Sequence, residues 1–102
     1  MREKKMEVSI RMPGPLKKLA GEQDVIRSEG KTVGEVLRWL TDTYPGLEER
    51  LRDEKGEVRR FVNIYVNDED IRFIQNLKTP LKEGDRISII PAVAGGLSFG
   101  NQ

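Results

Sequence analysis

Arg86-Ile-Ser-Ile-Ile-Pro-Ala-Val-Ala-Gly-Gly96 decides how the rest of the chain is arranged. Ile87, Ile89 and Ile90 are β-branched and follow the turn signal Gly84-Asp85, so the run predicts a buried strand. Pro91 has no N–H to donate and stops the ladder. Ala92, Val93, Ala94, Gly95 and Gly96 carry little side-chain bulk, which suits a tail that threads into a narrow channel of another protein. A glycine pair by itself says little; its place behind this strand gives it meaning.

Outward from that strand, the chain alternates between two periodicities. Met6, Val8, Ile10 and Met12 interleave with Glu7, Ser9 and Arg11, a period of two that predicts a strand with one buried face. Pro13-Gly14-Pro15 ends it, Leu16 and Leu19 anchor a loop, and Gln23 to Ser28 reads as a second strand antiparallel to the first. Glu29-Gly30-Lys31 reads as a turn. Thr32-Val-Gly-Glu35 is a capping box, and Val33, Val36, Leu37, Leu40 and Tyr44 share one side of a helix at 3.6 residues per turn.

Pro45-Gly46 terminates the helix, Leu47 and Leu51 suggest a short second helical piece, and the charged stretch Asp53 to Arg59 reads as a mobile loop. Phe61 to Asn67 is the clearest strand in the middle of the chain, with Val62, Ile64 and Val66 on one face. Asn67 to Asp70 is a turn, after which Ile71 and Phe73 return as a short strand. The order strand, strand, helix, strand, short strand, strand is that of the β-grasp, or ubiquitin-like, fold. This α+β arrangement has a mixed sheet of four to five strands, one main helix on one face, and the last strand parallel to the first at the centre. The expected domain spans residues 1–91, with a flexible tail at 92–102.

Pro91-Ala-Val-Ala-Gly-Gly96 behind an isoleucine-rich strand resembles the C-terminus of the MoaD/ThiS group of ubiquitin-like sulfur carriers. Arg60-Phe-Val-Asn-Ile-Tyr-Val-Asn-Asp-Glu-Asp-Ile-Arg-Phe73 is similar to the CysO-type branch, which supplies sulfur for cysteine synthesis. The likeness covers residues 6–96 and breaks at Leu97-Ser-Phe-Gly-Asn-Gln102, which follows the diglycine.

The resemblance implies a carrier rather than an enzyme, with no cofactor of its own. An E1-like ATP-dependent enzyme adenylates the Gly96 carboxylate, a donor converts it to a thiocarboxylate, and a synthase accepts the sulfur. That synthase is a pyridoxal-phosphate (PLP) cysteine synthase in the CysO-type branch and the molybdopterin synthase large subunit in the MoaD branch. With residues 97–102 attached, Gly96 ends in an amide that cannot be adenylated, so the resemblance also implies trimming by a zinc metalloprotease. Two alternatives stand beside this: a ubiquitin-like modifier joined through Gly96 to lysines, and a noncatalytic β-grasp interaction module.

Composition narrows the chemistry. With no cysteine and no histidine, the chain cannot hold a persulfide or attack as a thiolate, and it lacks the commonest general base and metal ligand near neutral pH. Any sulfur it carries must sit on its terminus. Eighteen basic and seventeen acidic residues give a net charge of +1 without long blocks of either sign, which points to neither nucleic acid nor an anionic membrane. Met1-Arg-Glu-Lys-Lys-Met6 lacks the apolar run of a signal peptide, so the cytoplasm is the expected compartment. Asp68-Glu69-Asp70 reads as a solvated turn rather than a calcium loop, Trp39 as fringe packing on the helix, and Arg59-Arg60 and Lys17-Lys18 as solvated charges. Phe61 and Tyr65, facing away from the helix, either meet a partner or pack under the 74–83 connection.

Overall fold

The computed structural model of the chain describes residues 6–91, so the expected tail Ala92–Gly96 and the extension 97–102 lie outside the described residues. Five strands form one sheet in the order β2-β1-β5-β3-β4. They are β1 (Met6–Arg11), β2 (Val25–Gly30), β3 (Val62–Val66), β4 (Glu69–Asp70) and β5 (Arg86–Pro91). β5 runs parallel to β1 at the centre, with Ile10 opposite Ile87, and every other pairing is antiparallel. This is the β-grasp arrangement expected from the element order.

The main helix α2 (Val33–Thr43) covers one face of the sheet with Val33, Val36, Leu37 and Leu40, all fully buried. Opposite them lie Val8, Ile10, Ile64, Ile87 and Ile89. The N-terminus of α2 is fixed by side chains: the Glu35 N–H donates to Thr32 Oγ1 at 3.2 Å, and the Glu35 carboxylate accepts from the Lys31 N–H at 2.9 Å. The box thus closes one residue earlier than its usual form. Thr32→Ala is expected to cost about 1 kcal/mol, read as a lower urea midpoint at unchanged slope.

Two short helices, α1 (Gly14–Lys17) and α3 (Glu48–Leu51), plug the ends of the core. Leu16, Leu47 and Leu51 are buried there, and Leu19 packs partly against them.

Four local readings are corrected. β2 lies two residues later than Gln23–Ser28, and Glu29 and Gly30, expected in a turn, pair with Glu7 and Met6. Gly30 is a point of close approach: a Cβ there would stand 2.8 Å from Val36 Cγ2, so its missing side chain lets α2 lie against the strand.

Ile71 and Phe73 do not form a strand; they belong to a 3-10 turn, Ile71–Phe73, and the short strand is Glu69–Asp70 before it. Asn67 and Asp68 both adopt positive φ (51° and 75°), which makes a two-residue hairpin turn. The Asp70 carboxylate then accepts the Arg72 N–H at 2.9 Å and bends the chain out of the ladder.

The stretch from Asp53 to Arg59, expected to be a mobile loop, carries its own hydrogen-bonded turn. Asp53 Oδ1 accepts from the Lys55 and Glu57 N–H groups at 2.8 and 3.0 Å, and Arg52 bridges Val58. These bonds, that to Glu57 foremost, hold the Asp53 carboxyl below the usual carboxylate range. Lastly, the Pro13–Ala20 loop is helical, α1 continuing into a 3-10 turn at Lys18–Ala20.

Candidate functional site

β5 carries the chain through the middle of the sheet and delivers it at Pro91, which lies opposite Val62. Pro91, the last described residue, thus ends the central strand of the sheet. Sequence reasoning placed the reactive group, Gly96, and the threading residues Ala92, Val93, Ala94 and Gly95 after it; they lie outside the described residues.

The sheet face turned away from α2 is built from the alternate residues of each strand. Strand register sets Val25, Arg11, Ser88, Tyr65 and Asp70 in one row across all five strands. Ile90 lies opposite Asn63 one step nearer the tail. Tyr65 is half-buried on this face, and Phe61, just before β3, is 49% exposed. The 74–83 connection lies elsewhere, against the start of α2: the Val33 N–H donates to the Thr79 carbonyl at 3.0 Å, and Gly34 faces Leu77. Tyr65 is thus placed on the open sheet face, not beneath that connection.

One residue of this face escaped the sequence reading. Ile90 was counted with the buried isoleucines, yet it is 48% exposed while Ile89 is buried. The signal was present, because two consecutive isoleucines in an alternating strand cannot both face the core.

Charge on this face is partly locked. Arg72 donates to both oxygens of Asp70, at 2.8 Å from Nη2 and 3.2 Å from Nε, and also to the Asn63 side-chain carbonyl. The Arg72 guanidinium holds the Asp70 carboxyl below the usual carboxylate range, and Asp70 raises Arg72 in return. With Asp70 so engaged, the Asp68-Glu69-Asp70 turn does not offer three free ligands, and among the described residues no group of three His, Cys, Asp or Glu is placed to hold a metal. Farther along the face, Arg11 and Arg86 flank Ser9 and Ser88 in a shallow groove of about 450 Å³. Trp39 sits at the margin of α2, 37% exposed.

Residues 10–96 match the family model described as the ThiS family. The chain belongs to the ThiS family. It is 45% identical over 93 residues to the sulfur carrier protein CysO of Mycobacterium tuberculosis, an alignment covering 89% of this chain and all of that protein. It is 34% identical over 93 residues to small archaeal modifier protein 3 of Haloferax volcanii, with the same coverage. Among solved structures, a chain of the Amycolatopsis orientalis BexX/CysO complex superposes with a TM-score of 0.80 at 38% identity, covering 87% of this chain and 99% of that one. Family membership thus agrees with the resemblance drawn from the diglycine end and from Arg60–Phe73. Among the described residues no helix is long and apolar enough to cross a membrane.

Proposed function

We propose that this ThiS-family chain is a sulfur carrier whose working group is the carboxylate of Gly96, exposed by removal of residues 97–102. The observation that carries this is the family match, which runs through residue 96 and stops there. It coincides with the second glycine of the Gly95-Gly96 pair, which follows the central strand β5.

The chemistry balances without any group from the folded body. A carboxylate oxygen of Gly96 attacks the α-phosphorus of ATP on an E1-like enzyme, and pyrophosphate leaves. A sulfide-level donor then attacks the acyl carbon, AMP leaves, and the thiocarboxylate remains. At neutral pH its sulfur is a soft, ionised nucleophile toward the next acceptor. The likeness to CysO favours an activated serine derivative on a PLP cysteine synthase as acceptor, with a precursor on the molybdopterin synthase large subunit next. The body's part is positional: it presents Phe61, Tyr65 and Ile90 toward the end of β5, for a partner to grip the sheet while Ala92–Gly96 enters its active site. A zinc metalloprotease is the proposed trimming activity.

A second reading, conjugation of Gly96 to lysine amines, is favoured by the likeness to small archaeal modifier protein 3. Intact-mass spectrometry of the protein from its native host separates the two. Trimming at Gly96 with one carboxylate oxygen exchanged for sulfur is expected; lysine conjugates would favour the modifier. Full-length, unmodified protein in every growth condition would overturn both and leave an interaction module.

A further inference from the structure

A groove of about 480 Å³ opens over the Val62 and Ile64 side of β3, between the Asp53–Arg60 turn and the 70–78 segment, and reaches the Asp70–Arg72 pair at the sheet edge. Its floor is apolar, formed by Val58, Val62, Ile64, Ile71 and Leu77. Behind the groove, Gly34 fixes how close the 74–78 segment comes to α2: a Cβ there would stand 3.0 Å from the Leu77 carbonyl oxygen. The rim is cationic. Arg59, Arg60, Arg72 and Lys78 line the groove against two carboxylates, Glu57 and Asp70, and Asp70 is already taken by Arg72 at 2.8 Å. Arg59 is held by the Glu49 carbonyl, whereas Arg60 and Lys78 form no ion pair among the described residues. Phe73, between the groove residues Arg72 and Gln75 in sequence, is 82% exposed, more than any other large apolar residue described.

We propose that this groove is a docking site for an acidic segment of a partner protein, an apolar side chain on the floor and carboxylates on the rim at Arg60 and Lys78. The inference rests on the carrier reading for its purpose. Val62 both lines the groove and lies opposite Pro91, so a protein that takes the tail also meets this opening. The groove then acts as a second handle, separate from the Tyr65 and Ile90 face. A second copy of the chain is a poor occupant, because a twofold contact of this patch with itself would bring two cationic rims together. A nucleic-acid backbone is poor as well, since it would leave the apolar floor against charge.

The test uses the full chain, ¹⁵N-labelled, titrated with the peptide acetyl-Asp-Glu-Leu-Phe-Glu-Asp-amide and with its counterpart bearing lysines in place of the four carboxylates. The acidic peptide is expected to shift amides of Val58–Val62 and Ile71–Lys78 saturably. The double variant R60E/K78E should weaken it at least about tenfold, while R86E on the opposite face leaves it unchanged. Shifts confined to the Tyr65 face, equal binding of the lysine peptide, or no saturable shift would overturn the proposal. So would a dimer of the free chain in sedimentation that R60E/K78E dissolves. None of these readouts needs trimming or sulfur, so their failure leaves the carrier reading standing, and failure of thiocarboxylation leaves these results intact.

Discussion

Ending the chain at Gly96 should convert an unreactive protein into a substrate for ATP-dependent activation. With a cognate E1-like enzyme, the 1–96 chain is expected to drive saturable exchange of labelled pyrophosphate into ATP, and the 1–102 chain to stay at background. An amide carbonyl is a poor nucleophile toward the α-phosphorus, whereas a carboxylate oxygen carries full negative charge to the same place. The second half of this expectation is steric. Gly96→Val in the trimmed chain keeps the carboxylate but adds a branched side chain beside the reacting carbon. Misplacement by about 1 Å should lower the exchange rate roughly 100-fold. Because residue 96 comes five positions after Pro91, the last residue of β5, the variant should unfold at the same urea concentration as the parent, which separates a chemical defect from a folding one. Equal exchange by the 1–96 and 1–102 chains would remove the carboxylate from the mechanism.

The other large effect concerns two isoleucines of one strand. Ile87 is fully buried at the sheet centre, opposite Ile10 on β1 and Val66 on β3. Ile87→Ala should leave a cavity and cost about 2–5 kcal/mol, a large part of the roughly 5–15 kcal/mol that holds such a domain together. Ile90, three residues along on the other face and 48% exposed, should cost no more than about 1 kcal/mol when changed to alanine. If the face beside the tail is where the activating enzyme grips, Ile90→Ala should instead raise the half-saturating concentration in the exchange assay. Urea titrations and exchange assays on the two variants make a crossed comparison. Equal destabilisation by both, or a binding defect from Ile87→Ala alone at temperatures where it stays folded, would contradict this assignment of faces.

Much of this was legible in residue order because its causes are local. Thr32 and Glu35 announce the start of α2, and the stripe Val33, Val36, Leu37 and Leu40 announces its buried face, since side chains three and four apart meet whatever the helix packs against. The same holds for β1 and β3, where Val8, Ile10, Val62, Ile64 and Val66 keep a period of two. Gly30 was misread for the opposite reason. A glycine between polar residues has the local look of a turn, and only Val36, brought over it by the helix, shows that the missing side chain is a packing requirement. Ile71 and Phe73 misled in the same way: their spacing suits a strand, but Asp70 binding the Arg72 N–H bends the chain first.

The sequence by itself determined the strand and helix faces and, by lacking cysteine and histidine, the requirement that any carried sulfur sit on a terminal carboxylate. Tertiary structure decided which isoleucine is exposed, which residues line up as Val25, Arg11, Ser88 and Tyr65, and that Arg60 and Lys78 rim an apolar groove. The physical reason is range. Periodicity is a property of neighbours along the chain, whereas a surface is made by pairing residues as distant as Ser9 and Arg86, in a register that emerges only when the whole apolar face is buried at once.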